Sequence, residues 1–344
     1  MLLSDNPFLI PDENKLSGAA EVVVRPEVTW SIDPTTTLDF TAETGFRQYH
    51  RRYSNFVTGL ADLQLRHRRN EYLTISGRAI YRRELLADSL ADSSDFAIDA
   101  RSISESFDVR SSLAWSPNAL TTITGDGGWR KLRYPGSTLL ETTNAYDAGV
   151  SATRRLSERT TAGVRAHATT SRTSGGDKSS IKSLNLTASH RLAQHWQGDI
   201  QIGVEWSKLA DPVAGGRESR ARLNGAAALC YEGGRQTACL RGALRSEVSG
   251  FGGLQREVSI GGTYRRQLSE HGVVDIEADY RRARLPGYGA AARVMRVSAN
   301  YERRVGRNLY FTPGIAYLQR DRLAGEKADA FIIKVGLTIR GDQR

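Results

Sequence analysis

Nowhere in the 344 residues are there the roughly 18 consecutive apolar residues that a membrane-crossing helix needs. Lysine, proline and cysteine are also scarce, at seven, nine and two residues. The first shortage excludes a helical membrane protein. The few prolines, with 33 glycines scattered rather than clustered, leave no linker, so residues 1–344 read as one barrel domain. Within it, 1–20 are expected to form a partial first strand and a loop, and 21–341 the barrel strands. Cys230 and Cys239 do not make a metal site by count or spacing, and no cofactor is expected. Because lysine is rare, 41 of the 48 basic residues are arginine, and they account for the net charge of +10. These arginines are spread evenly and interleaved with Asp and Glu, with no basic tail and no basic helix. A sheet that reads nucleic acid would carry aromatics among its basic residues, whereas here the aromatics mostly share the apolar parity; no nucleic-acid partner is expected.

A 39% hydrophobic content, a mean hydropathy of −0.44 and a quarter of charged residues describe, at face value, a very polar soluble protein. Disorder fits poorly, because Val, Ile, Leu, Tyr and Phe recur at strict spacing to the end of the chain. That spacing has period two. Val274, Ile276, Ala278 and Tyr280 share one parity, and Asp275, Glu277, Asp279 and Arg281 the other. Successive side chains of a strand point to opposite faces, so this segment has one apolar and one charged face, which a helix would mix. Residues 200–207, 257–265, 331–340 and 38–47 repeat the pattern. The runs last 10 to 14 residues, against about 5–6 for an ordinary strand, and strands of roughly 9–11 residues cross a bilayer.

Two kinds of connection alternate. Short turns fall at 33–35, 68–70, 116–118, 157–159, 193–195, 233–235, 269–271 and 306–308, spaced about 36 to 48 residues apart. Several share a basic residue followed by Leu or Val, as in Arg155-Leu156-Ser157-Glu158 and Arg191-Leu192-Ala193-Gln194, so a β-hairpin is repeated. Longer, irregular loops are expected at 86–103, 130–144, 171–180, 208–218, 284–293 and 321–328. Short turns at one end and long loops at the other are the asymmetry of bacterial outer-membrane barrels.

In hydrocarbon every backbone N–H and C=O needs an internal partner, which restricts spanning structures to helices and closed barrels. The apolar parity then faces lipid, since an arginine there near midplane costs about 2–4 kcal/mol. Trp30, Trp115 and Trp196 fall beside short turns and Tyr49, Tyr53, Tyr81 and Tyr134 towards long loops, as two interfacial girdles would require. Eight turns give sixteen strands, and 329–341 adds a seventeenth. Single-chain bacterial barrels prefer even numbers, so Leu2–Leu9 reads as the upper end of a truncated first strand. The expected fold is an all-β, antiparallel up-and-down barrel of about 18 strands, roughly 35 Å across, with a water-filled lumen. Met1 runs directly into Leu-Leu-Ser-Asp-Asn-Pro without the features of a signal peptide. The expectation is a mature or truncated form, or a start placed too late.

Ser4-Asp5-Asn6-Pro7-Phe8, Val24-Arg25-Pro26-Glu27-Val28, Arg155-Leu156-Ser157-Glu158-Arg159 and the closing Val335-Gly336-Leu337-Thr338-Ile339-Arg340 resemble the β-barrel porin family found with bacterial exopolysaccharide operons. The resemblance covers essentially the whole chain. It implies an outer-membrane location and a role in, or beside, secretion of surface polysaccharide. The implied partners are membrane lipid and lipopolysaccharide, the barrel-assembly machinery, and anionic polysaccharide or its secretion components. The chain departs from the family in lacking a signal peptide, a full first strand and a terminal aromatic.

The candidate solute contacts are the lumen-parity arginines Arg25, Arg47, Arg78, Arg110, Arg165, Arg241, Arg265, Arg281 and Arg296. Guanidinium holds its charge at any working pH and matches carboxylate geometry, so these residues suit guidance of an anionic solute. A wall of Arg–carboxylate pairs that only stiffens and hydrates the lumen is the other reading. A turn centred on Gly234-Arg235 sets Cys230 opposite Cys239 on adjacent strands, both with lumen parity. In an oxidising periplasm the two form a disulfide or remain free thiols. No Ser or His, His167 included, stands in a recognisable catalytic motif, and Gly125-Asp126-Gly127-Gly128 precedes no helix, so no enzyme is expected. Three roles remain: an exopolysaccharide-associated channel or accessory barrel, a general diffusion porin for small anionic solutes, and a structural or attachment barrel without transport.

Overall fold

The computed structural model describes residues 1–10, 15–50, 55–88, 95, 102–176, 178–210, 217–250, 253–284, 291–321 and 326–340. Three short strands come first: β1 (Leu2–Ser4), β2 (Ser17–Val24) and β3 (Glu27–Asp33). Sixteen long ones follow. They are β4 (Thr36–His50), β5 (Phe56–Arg68), β6 (Leu73–Leu85), β7 (Ile103–Asn118), β8 (Thr121–Arg133), β9 (Thr143–Arg155), β10 (Thr160–Thr173) and β11 (Lys178–Ala193). The second half comprises β12 (Trp196–Ala210), β13 (Arg217–Glu232), β14 (Gln236–Ser249), β15 (Gly253–Ser269), β16 (Gly272–Arg284), β17 (Ala291–Arg304), β18 (Leu309–Asp321) and β19 (Lys327–Ile339). No helix among the described residues is long and apolar enough to cross a membrane.

Each strand from β4 to β19 pairs antiparallel with its neighbours in sequence. Closure is made by β1, where Leu3 lies between Ile333 of β19 and Gly18 of β2. β2 and β3 both pair with β4, at Thr44–His50 and Thr36–Thr41 respectively, so they are one strand interrupted at Arg25–Pro26. Pro26 brings no N–H to the ladder, which forces the break. Counted this way, the barrel is a closed antiparallel ring of eighteen strands, seventeen long and one short. The partial first strand read from Leu2–Leu9 is β1, which ends at Ser4; the chain then turns inward.

Val335 N donates to Met1 O at 2.9 Å and the Met1 ammonium to Val335 O at 2.8 Å, extending the β1–β19 pairing by one residue.

Side-chain parity sorts as the alternation requires. On β12 Ile200, Ile202 and Trp206 are exposed on the outer surface while Glu205 between them is buried. On β11 Leu184 and Leu186 are exposed and Asn185 is buried. The strands run further than the alternation, β8 to Arg133 and β10 to Thr173, into the expected loops at 130–144 and 171–180. Hairpin hydrogen bonds continue without needing an apolar face. Parts of the expected loops at 86–103, 208–218, 284–293 and 321–328 lie outside the described residues, as does Tyr53.

The apolar core is inside the ring, at the long-loop end. Phe8 and Leu9 are inserted among Tyr49, Leu85, Leu86, Val294, Leu318 and Ile332. The rings of Phe8, Tyr49 and Phe56 meet at 5.5, 5.8 and 5.9 Å, and such aromatic pairs add about 0.5–1.5 kcal/mol beyond area burial. Asn6 locks the insert, its side chain bonding both N and O of Ile10 at 2.8 Å. This corrects the expectation for Tyr49 and Tyr134, which are 6% and 7% exposed inside the barrel rather than in a lipid-facing girdle. Tyr49 shares parity with Arg47, so its ring has to point inward. Trp30, Trp115, Trp196 and Tyr81 do face outward.

A second element narrows the same mouth. β13 and β14 pair only as far as Gly225 with Leu244, whereas β14 and β15 stay paired up to Ser249 with Gly253. The upper β14–β15 hairpin therefore leaves the wall and leans into the lumen. Its tip reaches the opposite rim, where Glu141 N donates to Gly250 O at 2.8 Å and Thr143 Oγ1 to Ser249 O at 3.3 Å. Buried Asp95 accepts from Tyr134, Ser249 and Gly250 N.

Candidate functional site

Of the nine candidate arginines, seven meet carboxylates. Arg25 pairs with Glu43 at 2.8 Å, Arg78 with Asp62 at 2.5 Å, Arg110 with Asp108 at 2.8 Å and Arg281 with Glu257 at 2.8 Å. Arg165 and Arg265 make looser pairs, with Asp126 and Asp275, both at 3.6 Å. Arg47 bridges Asp88 at 2.9 Å and Glu21 at 3.1 Å. Most pairs follow from register, because inward residues on neighbouring strands stand directly or diagonally opposite, within reach of long side chains. Arg265 and Asp275 are such a direct pair. Arg110 and Asp108 are instead two apart on β7, Arg165 reaches past β9 to Asp126 on β8, and Asp88 lies just beyond β6. Asp108 holds Arg130 as well, at 2.7 Å, so the wall is a lattice rather than a set of isolated contacts.

Arg241 and Arg296 differ: neither makes an ion pair or hydrogen bond among the described residues. Each borders a cavity. The cavity beside Arg296, about 280 Å3, lies among Glu21, Arg47, Asp88 and Lys334 below the apolar core. The larger, about 620 Å3, opens on Arg241 between β9 and β16. Its lining mixes small and hydroxylic residues, Thr153, Thr187, Ser189, Ala226 and Ala228 among them, with apolar Ile200 and Ile260 and the carboxylates Asp199, Glu277 and Asp279. Alanine at 226 and 228 leaves room that a longer side chain would fill.

Cys230 and Cys239 sit directly opposite in the β13–β14 ladder, with Cα atoms 4.1 Å apart, joined as a disulfide. The bond ties the hairpin in its lower half, beneath the point where β14 departs from β13.

Outside the spanning region, the Asp33 carboxylate in the first short turn accepts from Thr35 Oγ1 at 2.6 Å, Thr35 N at 2.7 Å and Thr36 Oγ1 at 2.8 Å. Those hydrogen bonds favour the ionised form and lower its pKa to about 2. At the other end, burial, reinforced by Asp95, pushes the Tyr134 phenol well above its ordinary value.

No family model and no curated protein matches the chain. Solved structures share the architecture at low identity. The ferric-catecholate import receptor Fiu from E. coli K12 has a TM-score of 0.49 and 9% identity over 99% of this chain and 74% of its own. The FrpB iron transporter from Neisseria meningitidis gives 0.48 and 10% over 93% and 62%. The copper transporter OprC gives 0.48 and 10% over 98% and 64%. The chain thus spans less than two thirds of the length of FrpB and OprC, and these likenesses concern the barrel shape alone. The fold is that of an outer-membrane β-barrel. Its ring, its outward apolar parity and its ion-paired interior carry that statement without the neighbours.

Two features of the interior escaped the sequence reading. Glu205, Ser246 and Arg256 join only because a hairpin bends inward, which no local pattern signals. Asp126, Asp147 and His167 meet on three successive strands, about twenty residues apart. That separation is one strand plus one connection, a spacing that could have singled them out.

Proposed function

We propose that the protein is an outer-membrane channel for a hydroxylated, anionic solute of the surface-polysaccharide kind, held closed at its long-loop end in the form described. The observation that carries this reading is the cavity of about 620 Å3 lined by Thr153, Thr187, Ser189 and Gln201, with the unpaired guanidinium of Arg241 at its edge. Hydroxyl and amide side chains exchange hydrogen bonds with a sugar chain as readily as with water, and the paired arginines add no net field to repel or trap it. Of the nine candidate arginines, Arg241 and Arg296 are the two without an ion-pair partner among the described residues, left to meet carboxylate or sulfate groups. The link to exopolysaccharide rests on the short sequence motifs described above.

Proteoliposome swelling tests the reading. Uronic-acid oligosaccharides should enter faster than neutral ones of equal size, and Arg241→Ala should remove the difference. Equal rates, or a preference untouched by the substitution, would overturn it. Deleting the gene should lower surface polysaccharide. A barrel of purely structural role would leave liposomes impermeable to every solute even with the β14–β15 hairpin released.

A further inference from the structure

We propose that Asp126, Asp147 and His167 form a binding site for one divalent transition-metal ion on the lumen wall. The three side chains come from β8, β9 and β10 and all point inward. One donor atom of each lies within 4.8 Å of the others. The register makes the cluster. Asp126, Gly149 and His167 stand in one row across the three strands, and Gly128, Asp147 and Thr169 in the next. The glycines let the carboxylates converge. A Cβ at Gly149 would lie 2.8 Å from an Asp126 oxygen, and one at Gly128 2.9 Å from an Asp147 oxygen. Any larger residue at either position would push a carboxylate away from the imidazole.

The donors are also uncommitted. In a wall where most carboxylates hold arginine, Asp147 makes no hydrogen bond or ion pair among the described residues, and Asp126 has only the loose Arg165 contact at 3.6 Å. Arg110 is occupied by Asp108. Nδ1 of His167 is buried without a partner, while Nε2 lies 3.1 Å from Thr169 Oγ1. If Nε2 carries the proton and donates it to Thr169, Nδ1 presents a lone pair, the state a metal takes, with Thr169 as the outer support that metal-bound histidines usually have. One imidazole and two carboxylates suit zinc and its first-row neighbours better than calcium or magnesium, which take oxygen alone. Water completes the coordination from the lumen, and the ion takes over from Arg165 as the counter-charge to Asp126. The three ligands clamp adjacent strands into a short rigid belt.

The experiment is equilibrium dialysis of the detergent-solubilised full chain against zinc after chelator treatment, with metal counted by mass spectrometry and Co2+ absorption as a second readout. One equivalent should bind, and Co2+ should give the spectrum of a histidine-ligated centre. His167→Ala and Asp147→Asn should abolish the site, while Thr169→Val should weaken it by about tenfold, as loss of an outer partner does. Arg165→Gln, which removes the competing cation, should tighten it. His195→Ala, in a short turn, is the control for adventitious zinc on exposed histidine. Heat-modifiable migration on gels reports whether each variant still forms the barrel. No bound equivalent in the wild-type protein, or equal binding by the folded His167→Ala variant, would overturn the proposal.

Discussion

Glu205 of β12 receives Arg256 of β15 across the lumen at 2.5 Å, its carboxylate almost fully buried. The same carboxylate accepts from Ser246 Oγ at 2.5 Å and Ser246 N at 3.3 Å. Arg256 also donates to Leu223 O, on the stretch of β13 that has lost β14 as a partner. One acid thus holds a hairpin inside the barrel, and one arginine covers part of the edge the hairpin left behind.

Removing that acid should open the channel. Hydrogen bonds to charged groups contribute about 1.5–3 kcal/mol each, and Glu205→Ala removes three at once. Planar-bilayer recordings should show larger or more frequent openings than in the wild type. Joining the hairpin to β12 through Glu205→Cys with Ser246→Cys, in a background where Cys230 and Cys239 are serine, should suppress conductance until reductant is added. Equal conductance in all variants would mean that the hairpin is not the barrier.

Alkylation reads the state of Cys230 and Cys239. The protein isolated without reductant should take up no iodoacetamide and, after reduction, two equivalents. Replacing both cysteines with serine should lower stability by about 2–3 kcal/mol, the magnitude for a bridge that closes so short a loop. Denaturant titration in detergent checks this, and two labels without reductant would contradict the bond.

Acid should loosen the first turn. Asp33 is held at about 2 in the folded protein against an unfolded value near 4. Its contribution is therefore complete above about pH 4 and is lost as pH falls towards 2. Asp33→Asn should flatten this part of the acid-unfolding profile, measured by tryptophan emission. An identical profile would remove the role assigned to Thr35 and Thr36.

The ring itself was legible because its cause is local. Lipid outside and water inside impose period two on every strand, so Val274 to Arg281 display the rule in eight residues. The turns were legible too, since Gly234, Ser157 and Gly306 interrupt the alternation. What sequence did not reveal depends on non-local geometry. Tyr49 and Tyr134 stand at girdle height in the barrel, and what sends them inward is parity with Arg47 for Tyr49 and the buried contacts of the long-loop end for Tyr134. Which carboxylate each candidate arginine meets is not legible in the sequence; that depends largely on register, and it leaves Arg241 and Arg296 apart from the other seven. The bend of β14 away from β13 has no signature in either strand, because its determinants, Glu205 and Arg256, lie far apart in the chain.

The assignment of faces is the claim beneath everything else, and spin labels placed singly from Val274 to Arg281 in lipid vesicles test it most directly. Labels at 274, 276, 278 and 280 should be relaxed by membrane-soluble oxygen, and those at 275, 277, 279 and 281 by a water-soluble nickel chelate, alternating along the strand. Uniform accessibility, or alternation of the opposite phase, would contradict the account.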